Sequence, residues 1–95
     1  MARVLVTRRL PAGGLDPLVA AGHDLVQREA PVTHDELVRT APEVDAIVCL
    51  LNDRIDRDVL VAGSPRLKVV ANVAVGYDNI DVAAADEHGV VLHES

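Results

Sequence analysis

Ninety-five residues are room for one domain, and 49% of them are hydrophobic, mostly valine, alanine and leucine, with Tyr77 the only aromatic. That composition lacks the stacking platforms of flavin or single-strand nucleic-acid binders, and a net charge of −6 with scattered arginines disfavours nucleic acid and anionic membrane surfaces. Cys49 has no partner for an internal disulfide, no run approaches the roughly 20 apolar residues of a membrane span, and Met1 leads straight into a strand pattern, so a cytoplasmic chain is expected.

In chain order, Arg3 to Thr7 is a short apolar run ended by charge, Pro11 and Gly13-Gly14, and reads as a central first strand. Leu15 to Ala21 carries apolar residues at helical spacing with Gly22 behind them, the pattern of a short helix with a glycine stop. Asp24 to Arg28 alternates polar and apolar residues, as a half-exposed edge strand does. Thr33-His34-Asp35-Glu36 is a capping-box start for a helix that turns Leu37 and Val38 inward and ends near Ala41-Pro42. Ala46 to Leu50 is the third strand. Asp56 opens a helix with Val59 and Leu60 packing, stopped by Gly63-Ser64-Pro65, and Leu67 to Val73 is the fourth strand. A last helix is expected from about Asp81 to His88, stopped by Gly89, with Val90-Val91-Leu92 as a fifth strand.

Strands alternating with helices imply a parallel sheet wound on both faces, because each right-handed crossover returns the chain through a helix. Residues 1–95 are read as one flavodoxin-like α/β domain with five strands in the order 2-1-3-4-5. The fold's last helix is missing from this chain. An apolar strip of roughly several hundred Å2 is then expected beside the first helix, a surface that favours a homodimer.

The segment Asn72-Val73-Ala74-Val75-Gly76-Tyr77-Asp78-Asn79-Ile80-Asp81 runs from a strand into a glycine turn. In one reading Gly76 supplies only a positive φ, and Asp78, Asn79 and Asp81 cap the next helix. A second, compatible reading adds that the N–H groups of Val75 and Gly76 point at a bound carboxylate. The remaining residues are weaker site material. His23, His34, His88 and His93 lack metal-ligand spacing and read as solvated or turn histidines, and Cys49 reads as a buried, unreactive packing group. Among Asp53, Asp56 and Asp58, Asp56 is better suited to cap a helix and Asp58 to charge its first turn, so no metal site is expected. Tyr77 reads as a turn residue packed on its neighbours.

The same Asn72–Asp81 segment resembles the N-x-x-V-G-x-D-N-I-D motif of the D-isomer-specific 2-hydroxyacid dehydrogenases, in particular their glyoxylate/hydroxypyruvate reductase branch. Val4-Leu5-Val6-Thr7-Arg8, Leu50-Leu51-Asn52-Asp53-Arg54-Ile55-Asp56 and Ser64-Pro65-Arg66-Leu67-Lys68-Val69 agree as well, so the likeness runs nearly the length of the chain. The resemblance implies the first part of the substrate-binding domain. It implies that Val75 and Gly76 hold the substrate carboxylate through their backbone, and that Leu51 and Asn52 line the cleft. The family reduces 2-keto acids with NADPH or NADH. Its dinucleotide-binding domain and its catalytic arginine, glutamate and histidine have no counterpart here, and no G-x-G-x-x-G is present. The ending Leu92-His93-Glu94-Ser95 also departs from the family pattern.

The expectation is thus a truncated substrate domain with no catalytic or cofactor-binding residues of its own, inactive alone, with weak affinity for a small 2-keto or 2-hydroxy acid. The alternative is a stand-alone, non-catalytic flavodoxin-like module that self-associates. A phosphoacceptor receiver is excluded because Thr7-Arg8, Cys49-Leu50 and His93 stand where its acidic residues and lysine belong. A flavin carrier is excluded by Arg8-Arg9-Leu10-Pro11 in place of a hydroxyl-rich phosphate loop.

Overall fold

Short valine-rich runs bounded by charge or turn formers become the strands, and the helices between them begin at side-chain caps. The computed structural model describes residues 3–7, 24–27, 32–50, 53–72 and 76–94. These contain β1 (Arg3–Val6), β2 (Asp24–Gln27), α1 (His34–Thr40), a 3-10 turn (Ala41–Glu43), β3 (Ala46–Cys49), α2 (Arg57–Gly63), β4 (Val69–Asn72), α3 (Val82–Glu87) and β5 (Val91–Glu94). The predicted helix at Leu15–Ala21 lies outside the described residues. All described pairings are parallel, and the strands lie side by side as β2-β1-β3-β4-β5. The expected parallel α/β architecture is present.

Three caps start the helices where the sequence places them. Thr33 Oγ1 accepts from the Glu36 N–H at 3.2 Å, Asp56 Oδ1 from the Val59 N–H at 3.3 Å, and Asp81 Oδ1 from the Ala84 N–H at 3.0 Å. Asp78 and Asn79, expected to share that last duty, do not take part in it. The element ends differ from expectation by a residue or two. Leu67 stays outside β4, buried, with its N–H bonded to the Gly63 carbonyl. Likewise β5 starts one residue late, because the Val90 N–H is taken by the Ala85 carbonyl, and it runs on to Glu94 through pairing with Ala71 and Asn72.

Strand alternation divides the sheet into two unlike faces. Leu5, Ile47, Cys49 and Val70 point into the main core, where they meet Leu37 of α1, Val59 and Leu60 of α2, and Ala84 and Ala85 of α3. The opposite face carries two cross-strand rows, Val4–Ala46–Val69–Val91 and Val6–Val48–Ala71–His93. Val4 and Val6 are buried, Ala46, Val48, Val69 and Ala71 are half-buried, and Val91 is 54% exposed. Cover on this face therefore thins from the centre of the sheet towards the β5 edge.

Candidate functional site

In an open parallel sheet, ligands bind beyond the carboxyl ends of the strands, where the strand order reverses. Here β1 pairs with β2 on one side and β3 on the other, so the reversal falls between β1 and β3. The buried polar residues collect at that rim. Thr7 closes β1, Asn72 closes β4, Asp53 follows β3, and all three are buried.

Polar groups so buried must be partnered, and these are. The Thr7 hydroxyl donates to the Asp53 carboxylate, which also accepts from the Leu50 N–H at 2.9 Å. The Asp53 N–H returns to the Leu50 carbonyl at 2.9 Å. Asn79 then reaches across from the far side of the rim. Its Nδ2 lies 3.1 Å from the Leu50 carbonyl oxygen, 2.8 Å from that of Asp53 and 3.2 Å from Asn72 Oδ1. Asn72 Nδ2 donates in turn to Asn79 Oδ1 at 2.8 Å and to the Gly76 carbonyl at 3.0 Å. Backbone bonds run beside this network, with the Ile55 N–H on the Asn79 carbonyl and the Asp81 N–H on the Ile55 carbonyl, each at 2.9 Å.

Of the predicted site residues, Gly76 is placed at this rim with φ +85°, a conformation that L side chains rarely adopt. A Cβ at Gly76 would meet nothing within 4 Å, so the turn demands glycine for its backbone and leaves open space above it. Val75, Leu51 and Asn52 lie outside the described residues. Thr7, Asp53, Asn72 and Asn79 join the site only through the fold. The available signal was a polar side chain at or just past the end of a buried strand, which has to find partners at the rim.

Tyr77 packs partly buried against the core, with its hydroxyl 3.4 Å from the Leu92 carbonyl oxygen. Cys49 is fully buried, and burial followed by the nearby Asp53 charge pushes its thiol up to about 12. His34 keeps a side chain 39% exposed, and its Nε2 lies 2.9 Å from Asp56 Oδ2. Burial raises the Asp56 carboxyl, but hydrogen bonds from His34 and the Val59 N–H outweigh this and hold it below the usual carboxylate range. Ligand atoms of His34, Asp56 and Asp58 lie within 4.8 Å of one another. Their helix-start positions account for the cluster, because Asp56 caps α2, Asp58 sits in its first turn and His34 opens α1. The positive ends of two helices favour carboxylates and disfavour an added cation.

These features define a parallel α/β domain with a glycine turn and a hydrogen-bonded polar network at its carboxyl rim. The family of D-isomer specific 2-hydroxyacid dehydrogenases, by its catalytic domain, matches residues 4–95, and the chain belongs to that family. It is 41% identical over 91 residues to the glyoxylate reductase of Thermococcus onnurineus and 43% identical over 91 residues to that of Korarchaeum cryptofilum. Each alignment takes in 95% of this chain and 27% of the relative, so the chain spans about a quarter of the length of these curated relatives. Among solved structures, the TT0316 protein of Thermus thermophilus superposes with a TM-score of 0.86 at 34% identity, covering 95% of this chain and 29% of that one. The PH0520 protein of Pyrococcus horikoshii gives 0.89 at 27% identity, covering 100% and 28%. No helix among the described residues is long and apolar enough to cross a membrane.

Proposed function

We propose that this chain is the flavodoxin-like, carboxylate-binding half of an NAD(P)-dependent 2-keto acid reductase of the glyoxylate/hydroxypyruvate type, acting in the cytoplasm. The backbone of Val75 and Gly76 holds the substrate carboxylate, and Leu51 and Asn52 line the cleft beside it. The observation that carries this reading is the rim network, which ties Leu50 and Asp53 to Gly76 through Asn79 and Asn72 across the carboxyl end of the sheet. Relatives named glyoxylate reductase support the substrate class.

The described residues at this rim do not fit a dinucleotide. A pyrophosphate is held by a glycine-rich turn feeding an open helix N-terminus. The Gly76 turn leads instead to α3, whose N-terminus is already occupied by the Asp81 carboxylate at 3.0 Å. A second negative group there would be repelled, so no step of the reaction is assigned to a nicotinamide on these residues. The chain by itself binds and orients the acid but does not turn it over. Two backbone donors in a hydrated cleft contribute on the order of 1 kcal/mol each, which corresponds to affinity of about tens of millimolar. Mixing the chain with NADH or NADPH and glyoxylate or hydroxypyruvate is expected to give no protein-dependent loss of reduced cofactor. Measurable loss would refute the claim of inactivity. Titrating the labelled chain with oxalate is expected to shift the Gly76 amide resonance saturably, and a flat titration would remove the substrate-domain reading.

The second reading is that of a non-catalytic module that self-associates. It is favoured by the open sheet face, where Val69 and Val91 stand side by side in register and Val91 is 54% exposed. Pairing two such faces in a homodimer would take these valines out of water.

A further inference from the structure

We infer that the groove between α1 and α2 is a docking surface for a short amphipathic helix of a partner protein, one that presents a lysine, an aliphatic residue and a glutamate on successive turns of one face. The surface shares no residue with the rim network, so the inference stands apart from the substrate-domain reading. Both helices connect parallel strands and pack side by side on one face of the sheet, so they run in the same direction with their N-termini at one end. Between them lies a groove of about 740 Å3. Its lining repeats at helical spacing, with Asp35, Val38 and Arg39 from α1 across from Asp58, Val61 and Ala62 from α2. Val38 and Ala62 are packed on the core and only partly buried, and Val61 is 48% exposed. An aliphatic floor of this kind gains by being covered.

The charges decide the occupant. Asp35 and Asp58 stand in the first turns of their helices, and Arg39 lies one turn further on in α1. All three are exposed, and none has a side-chain partner among the described residues. Two full negative charges outweigh about half a positive charge from each helix end, so this end of the groove attracts an ammonium. Such a group pairs at the side-chain tips without the dehydration that a bound metal ion requires. His34, engaged with Asp56 at 2.9 Å, adds no further charge of the same sign. A small molecule fits less well, because such sites orient their ligand with buried polar groups and the charged lining here is exposed. A helix matches the groove in length. The seven residues of α1 or of α2 span about 10 Å, two turns, over which a lysine, a leucine and a glutamate at i, i+4 and i+7 recur on one face.

The test titrates the 15N-labelled chain by NMR with a stapled helical peptide carrying lysine, leucine and glutamate at those positions, the staple being needed because so short a helix is marginal alone. Saturable shifts are expected for amides of residues 34–40 and 57–63, with Gly76 and Asn79 unmoved. Val61→Gln, a helix former at an exposed position, should weaken binding about fivefold, and Arg39→Glu about tenfold. Changing the peptide's glutamate to lysine should restore its affinity for the Arg39→Glu chain to within about twofold of the original pair, a rescue that altered folding does not give. Both variants should melt close to the unsubstituted chain. The inference is overturned by the lack of a saturable shift up to about 1 mM peptide, by shifts centred on Val69 and Val91 instead, by binding that neither variant weakens, or by a failed rescue. If Val61→Gln lowers the mass of the chain in light scattering, a second copy fills the groove and the partner helix is likewise overturned.

Discussion

Cys49 and Asp56 show how one side chain's surroundings set its chemistry. The thiol lies 3.5 Å from Asn72 Oδ1 and is shut from water, which moves it from the ordinary 9.0 to about 12. A neutral buried thiol is a poor nucleophile, so a disulfide reagent at neutral pH should label it only as fast as the chain unfolds, and at once in guanidinium. Linkage gives the pH sign. The unfolded chain loses this proton first, so stability should fall as pH rises from about 9 towards 12, and Cys49→Ala should flatten that limb of a denaturation series. Asp56 acts on the acid side. Its carboxyl is held low, so the stability it contributes is present above the ordinary 3.8 and is lost as pH falls through the lowered value. Asp56→Asn keeps an N-cap and should flatten the acid limb, whereas Asp56→Ala should also cost about 1 kcal/mol at neutral pH. Both comparisons are read from urea midpoints across pH. The local role of Asp56 was legible because a cap is written in the few residues after it. Its bond to His34 was not, since 22 positions of chain separate the two.

Elements were legible where their signals are local. The helix starts at Thr33, Asp56 and Asp81 follow directly from side chains that reach three residues ahead, and the strands follow from β-branched runs. Strand ends were less legible, because β5 is lengthened by pairing with a strand some 20 positions away. The rim was least legible of all. Asn79 looks like a helix-start residue in the sequence, and only the folded sheet brings the Leu50 and Asp53 carbonyls to its side chain. Helix α2 provides a test in which packing and propensity oppose each other. Alanine for glycine in a helix normally adds about 1 kcal/mol. At Gly63, however, a Cβ would sit 2.7 Å from Leu67 Cβ and 2.8 Å from its Cδ2. Leu67 is fully buried and its Cβ cannot swing aside, so Gly63→Ala is expected to lower the melting temperature. A rise would show that the α2–β4 connection yields more readily than its packing implies.

At the scale of the molecule, the two faces of the sheet set the expectations. The helix-covered face holds the large buried side chains Leu5, Ile47, Leu60 and Val70. Leu60→Ala should cost about 2–5 kcal/mol, a large share of the stability of so small a domain, and thermal melting reads it. The other face carries the proposed association. Light scattering at rising concentration is expected to show the mass of two copies, and Val91→Lys to return it to one with little change in melting temperature. A strict monomer at the highest concentration would remove the homodimer. The direction of β5 carries one more consequence. Because it runs parallel to β4, its last residues emerge on the same side of the sheet as Asn72 and the Gly76 turn, whereas Arg3 enters β1 from the opposite side. A fluorescent protein or affinity tag grafted behind Glu94 would therefore overhang the rim that carries the proposed carboxylate site, while the same cargo placed ahead of Arg3 would hang clear beneath.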